Sequence, residues 1–241
     1  MANAWAVAAE LIDALQLGRM PRVVGTIITA EYLIRWSENP TPLPCDLVEF
    51  RLDGFPDLAD WLRVGKQIEH QGTPVFVTVR LHREGGKWTG GDSERWKFLE
   101  PAIQNLSGVD VEVRSELAPA VSELCGELGK LSIFSFHDFV KTPPRDELES
   151  LLASADRLGG IGKIAATANS PEDVEVLRSF LRKPRRAPIC IIGMGTHGRE
   201  TRLKFPLEGS CFTYGYLDVP GAPGQYSAQE LTDHFRGLTR A

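Results

Sequence analysis

Three short stretches of the chain carry residue types suited to covalent and proton-transfer chemistry. In GGIGKIAATANS, Gly159 to Ser170, the one ionisable side chain is Lys163, set among residues that read as a buried β-strand. Taking a lysine out of water disfavours its charged form, and a neutral amine is a nucleophile that condenses with ketones. The alternative is a lysine that begins the strand, its stem covering apolar surface while its head reaches water. SFHDFVKTP carries His137, and an imidazole can take and return a proton near neutral pH. RLHREGG carries Glu84, a carboxylate able to orient an imidazole and stabilise its protonated form. Polar residues that could grip a ligand stand nearby in the text: Glu49, Arg51 and Asp53 in VEFRLD, then Arg80 and Arg202. Each also has an ordinary reading. His137 alone is a hydrogen-bonded structural histidine, as His70, His82, His197 and His234 are taken to be. Glu84 alone is a loop carboxylate, and Glu49 with Arg51 is an internal ion pair.

Chemistry of this kind needs a rigid frame, and the hydrophobic pattern specifies one. Eight β-branched runs recur: RVVGTIITA, LVEFRLD, PVFVTVR, VDVEV, LSIFSFH, IGKIAAT, PICIIGM and SCFTYGYL. Near-continuous apolar strands of this type belong to parallel sheets covered on both faces. Helix-period segments lie between them, with start signals at Asp57, Asp92 or Ser93, Ser115, Thr142 with the prolines after it, and Ser170-Pro171. Eight such alternations in one chain predict an α/β fold, a single-domain (β/α)8 TIM barrel over residues 21–241. Trp5, Ala8, Leu11 and Leu15 fall at helical spacing, so residues 1–20 read as an N-terminal helical extension. In such a barrel the functional side chains gather at the C-terminal strand ends. Lys163, His137, Glu84, Glu49, Arg51, Asp53, Arg80 and Arg202 fall almost entirely at or just past those ends.

Composition narrows the classes further. The net charge of −5 leaves no basic excess to neutralise phosphates, which excludes a nucleic-acid partner. The basic cluster RKPRR reads as a solvated loop broken by Pro184. The N-terminus lacks a basic start, and no apolar run is long enough to span a membrane. The four cysteines, Cys45, Cys125, Cys190 and Cys211, have no CxxC pairing; Cys190 and Cys211 sit in apolar runs and read as reduced core thiols, which points to a cytoplasmic compartment. No cluster of His, Cys and carboxylates has metal-ligand spacing, so no metal is expected. GMGTHG, Gly193 to Gly198, matches a dinucleotide fingerprint, but one remaining strand cannot complete a dinucleotide fold. Its glycines are read instead as a tight turn that brings Arg202 over the barrel mouth.

Taken in order, VEFRLD, VRLHREGG, FHDFVKTP, GKIA and PGAPGQ resemble the type I 3-dehydroquinate dehydratases, over about Arg22 to Glu230. The resemblance implies a shikimate-pathway hydro-lyase that works through a lysine Schiff base, without a cofactor, as a cytoplasmic homodimer acting on the small molecule 3-dehydroquinate. It gives Lys163 the role of imine-forming nucleophile, His137 that of general acid and base, and Glu84 that of its orienting carboxylate. It makes Arg202 the clamp for the substrate carboxylate, and Glu49, Arg51 and Arg80 further polar contacts. Gln225 lies on the closing loop, and Thr26 stands where the family often has serine. The chain departs from the pattern at Gly221, where the family commonly has serine, and at Tyr214, in place of phenylalanine. The N-terminal helix has no counterpart. Another imine-forming lyase or aldolase on the same barrel, or a non-catalytic barrel that binds quinate-like acids, stays open on the residues alone.

Overall fold

The computed structural model describes residues 11–185, 187–221 and 225–238. Among the described residues there are eight strands: β1 (Val23–Ile27), β2 (Leu47–Arg51), β3 (Val75–Thr78), β4 (Gly108–Glu112), β5 (Leu131–Asp138), β6 (Ile161–Thr167), β7 (Ile189–Met194) and β8 (Thr213–Tyr216). They form one sheet in the order β7-β6-β5-β4-β3-β2-β1-β8, parallel in its registered pairs. Helices α1 (Ala30–Glu38), α2 (Trp61–His70), α3 (Asp92–Asn105), α4 (Ala118–Leu128), α5 (Arg145–Arg157) and α6 (Pro171–Leu181) follow the first six strands, and α7 (Ala228–Leu238) follows the last. The residues just before β8 pair with β7: the Cys211 N–H donates to the Ile189 carbonyl at 2.8 Å and the Ile191 N–H to Ser210 Oγ at 3.0 Å. The architecture is the (β/α)8 barrel expected from the alternating pattern.

By internal contacts the chain divides into two compact units. One holds the residues up to Arg22 and Val111–Thr213; the other holds Val23–Asp110 and the residues from Tyr214 on. In the first unit Phe136, Ile164, Ala166, Ile189 and Ile191 face outward onto Leu148, Leu151, Leu152, Leu177 and Phe180 of α5 and α6. Burying each large side chain of this cluster stabilises the fold by roughly 1.5–3 kcal/mol. Because successive strand residues point to opposite faces, Ser135, His137, Lys163, Ala165, Cys190 and Ile192 are committed to the other, inner face. In the second unit the amphipathic helix α2 buries Trp61, Val64, Gly65 and Ile68.

Several element boundaries differ from the sequence reading for identifiable reasons. Helix α2 begins at Trp61 rather than Asp57, because the Leu58 N–H turns back to the Phe55 carbonyl and the apolar period starts only at Trp61. Helix α4 begins at Ala118 rather than at Ser115. Pro119 lacks an N–H and is tolerated only in a first turn, while Ser115 Oγ accepts the Leu117 N–H at 3.2 Å. Strand β8 is shorter than SCFTYGYL, since Ser210 is spent on the Ile191 backbone. The Ser170-Pro171 start of α6 is as expected: Ser170 Oγ accepts the Asp173 N–H at 3.3 Å and Asp173 accepts the Ser170 N–H at 3.2 Å. Residues 11–14 are helical, whereas Trp5 and Ala8 lie outside the described residues.

Lys183 and Arg185 of the basic loop after α6 share one acidic partner, and Arg178 within α6 has another. Lys183 Nζ lies 2.6 Å and Arg185 Nη2 3.4 Å from Glu149, and Arg178 Nε lies 3.0 Å from Glu208. No helix among the described residues is long and apolar enough to cross a membrane.

All four cysteines are free, with Cys45 half-buried and Cys125, Cys190 and Cys211 buried. Burial pushes the thiols of Cys45 and Cys125 up to about 12. Burial also drives Cys211 well above its ordinary value, with the neighbouring Cys190 adding to the shift and Lys163 opposing it. Iodoacetamide at pH 8 should therefore leave Cys125, Cys190 and Cys211 unmodified in the native protein and label them all in denaturant, as read by intact mass. Prompt native labelling of any of the three would contradict this packing.

Candidate active site

The polar face of the second unit is built from hydroxyls, carboxylates and guanidinium groups that satisfy one another. Register pairs Thr26 on β1 with Glu49 on β2, and Arg51 on β2 with Thr78 on β3. Glu49, 3% exposed, accepts Thr26 Oγ1 at 3.0 Å and Thr78 Oγ1 at 2.7 Å. It is therefore not the internal partner of Arg51 that a shared strand face suggested. Arg51 forks instead onto Asp53, with Nε and Nη2 each 2.9 Å from a carboxylate oxygen. Burial opposes the Arg51 charge, but Asp53 and the more distant Glu49 outweigh it and hold the guanidinium above its ordinary range. Burial likewise pushes the Asp53 carboxyl up, yet the Arg51 hydrogen bonds and charge, with the Lys87 and Arg80 N–H groups, keep it below the usual carboxylate range.

Arg80 follows β3 and is almost wholly enclosed, with Nη2 2.5 Å from Asp110 Oδ1 on β4. The next turn, His82–Glu84, carries Glu84, which is buried despite the glycines after it. That segment is closed at its base by the Trp88 N–H on the Arg80 carbonyl at 3.1 Å and the Gly86 N–H on the Leu81 carbonyl at 3.0 Å. A Cβ at Gly86 would fall 2.0 Å from the Arg80 carbonyl oxygen, so the base of this loop admits no side chain there. At the chain's far end Gln225 Oε1 accepts the Gly221 N–H at 2.9 Å, so the departure at Gly221 leaves a backbone donor that holds the glutamine amide.

In the first unit β5 and β6 run in register, Ser135 opposite Lys163 and His137 opposite Ala165. Lys163 and His137 therefore lie on adjacent strands and the same face, with the histidine one inner-face step nearer the strand ends. Lys163 is 5% exposed, its register neighbours Ser135 and Cys190 fully buried, so it does not lie at a solvent-facing strand edge. His137 stacks on Phe139, ring centroids 6.4 Å apart and planes 16° from parallel. The loop beyond is tied down: Asp138 Oδ1 accepts the Val140 and Lys141 N–H groups at 2.8 and 3.0 Å, and Thr142 Oγ1 donates to the Thr167 carbonyl at 2.9 Å.

Arg202 sits on the helical turn Thr201–Lys204 that follows β7 and a first turn, Gly195–Gly198. GMGTHG is thus a βα turn, as expected. A Cβ at Gly198 would fall 2.3 Å from the carbonyl carbon of Gly193, and Thr201 Oγ1 accepts the Gly193 N–H at 2.9 Å across the same gap. Among the described residues no group of three His, Cys, Asp or Glu side chains could hold a metal ion.

Residues 23–239 match the family model described as type I 3-dehydroquinase. The chain belongs to this family. A 3-dehydroquinate dehydratase of Methanocella arvoryzae is 31% identical over 219 residues, 90% of this chain and 97% of that protein. That of Methanocaldococcus jannaschii is 35% identical over 197 residues, 79% of this chain and 86% of that one. Among solved structures, the 3-dehydroquinate dehydratase of Geobacillus kaustophilus matches with a TM-score of 0.78 at 25% identity, covering 93% of this chain and 95% of that one. The Clostridium difficile type I enzyme, solved with a covalently modified comenic acid, matches with a TM-score of 0.80 at 25% identity, covering 93% and 94%. As a type I 3-dehydroquinase the chain is a hydro-lyase.

Two polar groups of this type I 3-dehydroquinase face were not singled out from the sequence. Asp110 is fully buried against Arg80, and Thr78 is fully buried against Glu49. The signal for the first was present in VDVEV, where acids at Asp110 and Glu112 alternate with valines inside a strand too apolar for an exposed face. Removing one partner of a buried ion pair leaves the other charge uncompensated. Asp110→Ala is expected to cost about 3–5 kcal/mol in urea unfolding; a change below about 1 kcal/mol would mean Arg80 does not depend on this carboxylate.

Proposed function

We propose that this chain dehydrates 3-dehydroquinate to 3-dehydroshikimate through an imine on Lys163. The observation that carries the reading is Lys163 itself, an enclosed lysine on the inner face of β6, one strand from His137. Family membership supplies the substrate. The Lys163 amine adds to the substrate ketone and the carbonyl oxygen leaves as water, giving a protonated imine. The iminium withdraws electrons from the neighbouring carbon and acidifies its C–H bond. His137 removes that proton, and the electron pair passes into an enamine. The enamine then expels the β-hydroxyl, which departs as water after His137 returns the proton to it. Water hydrolyses the remaining imine, releasing the conjugated enone and the free lysine. The net change is substrate to product plus one water.

Glu84 orients the imidazole and stabilises it while it carries the extra proton, as a carboxylate does in other catalytic pairs. Arg202 grips the substrate carboxylate, for which a planar guanidinium fork is suited. Thr26, Glu49, Arg51, Arg80 and Gln225 meet the remaining oxygens. The reaction as written needs no cofactor or metal, and the resemblance adds a homodimer working in the cytoplasm.

Borohydride added together with 3-dehydroquinate should leave a reduced adduct on Lys163, found by peptide mass, and Lys163→Met should abolish both adduct and turnover. Protein that forms the enone, seen by its ultraviolet absorbance, while Lys163 stays unmodified would sink the imine mechanism. His137→Ala should lower kcat by about 10²–10⁴-fold, the usual worth of a positioned acid–base group, while some adduct still forms. Unchanged turnover in that variant removes its assigned role.

A further inference from the structure

We infer that Asp53 is a positioning residue for both halves of the ligand-handling face it belongs to, fixing the Arg51 guanidinium and clamping the base of the loop that carries Glu84. The inference rests on the roles given above to Arg51 and Glu84. Asp53 follows β2 directly, in the turn Leu52–Gly54, and is 5% exposed. An ionised carboxylate offers about four acceptor sites. Here all four are taken. Oδ1 accepts Arg51 Nε at 2.9 Å and the Arg80 N–H at 3.1 Å. Oδ2 accepts Arg51 Nη2 at 2.9 Å and the Lys87 N–H at 3.0 Å.

The two backbone donors are the informative part. Arg80 and Lys87 bracket residues 81–86, the segment holding the His82–Glu84 turn. One side chain therefore holds the start and the finish of that loop while its other lone pairs set the plane of Arg51. An ordinary ion pair for Arg51 would need neither N–H group, and an ordinary loop tether would not need the guanidinium fork. Charge and geometry are both required. An amide in place of the carboxylate would aim its own N–H bonds at two of the four donors.

Asp53→Asn separates the two duties kinetically. With active sites counted by borohydride capture on Lys163, the variant should show KM raised about tenfold through Arg51 and kcat lowered about tenfold through Glu84. Arg51→Gln should raise KM with kcat largely kept. Adding Asp53→Asn to Arg51→Gln should lower kcat with no further rise in KM. A general loss of stability would not produce that dependence on background. If both parameters of Asp53→Asn equal those of wild type, or if the double variant shows the two losses simply multiplied, the inference fails.

Amide hydrogen exchange of the unliganded protein tests the clamp without any turnover. Asp53→Asn should speed exchange at His82, Gly86 and Trp88 while leaving β1 and β2 unchanged. Unaltered exchange at all three would overturn the clamp. Loosened exchange in protein with no activity on 3-dehydroquinate would retain the clamp and refute the substrate assignment instead. Should Asp53→Asn not fold, Asp53→Glu keeps the charge and displaces it by one methylene. The same KM and exchange shifts are expected there, and wild-type values would overturn the inference, which needs the geometry as well as the charge.

Discussion

The constraint on which everything else depends is the two-residue alternation of a parallel strand whose outer face is already claimed. Phe136, Ile164, Ala166, Ile189 and Ile191 are committed to packing against helices, and the intervening positions have no choice of side. A lysine at position 163 and a histidine at 137 therefore point inward because their neighbours must point outward. A slip of one residue in β6 would exchange the amine for Ile164 and bury a charge against Leu152 and Leu177. The apolar core thus selects the register, and the register aims the amine and the imidazole.

Facing inward has a cost that the chain meets by pairing. Glu49, Thr78, Arg80 and Asp110 are almost wholly withdrawn from water, where an unpaired polar group costs roughly 1–3 kcal/mol and an unpaired charge more. Each has a partner within hydrogen-bonding reach. Such networks add little net stability compared with well-packed apolar residues of the same size, because desolvation offsets most of the attraction. What they provide is fixed direction. Arg51 held by two parallel bonds has one plane, whereas a solvated arginine samples many.

Much of this was legible in the text of the chain. The eight strands follow from β-branched runs, and Ser170-Pro171 announces its helix because a hydroxyl cap and a first-turn proline act locally. Helix starts set by competition were not legible. Asp57 resembles a cap, yet a turn from Phe55 to Leu58 takes its place, and Pro119 overrides Ser115. Placement was legible where residue type and strand coincide: Lys163 and His137 stand on adjacent strands and one face. Pairing was misread where it is decided in three dimensions: Glu49 and Arg51 share a strand face, but Thr26, Thr78 and Asp53 claim them first. Asp110 was passed over although the acids alternating with valines in VDVEV mark a buried polar face; only its partner, Arg80, needed the fold to be seen.

The bond between Gln225 Oε1 and the Gly221 N–H ties a side chain to a main-chain group four residues earlier. It takes one of the two lone pairs of the amide oxygen. On the reading proposed above, a substrate hydroxyl met by the second lone pair adds a bond without breaking the first, so the same amide can serve the loop and the ligand at once. The glycine supplies only its backbone N–H, so the amide plane is set by the main chain and not by a rotatable hydroxyl.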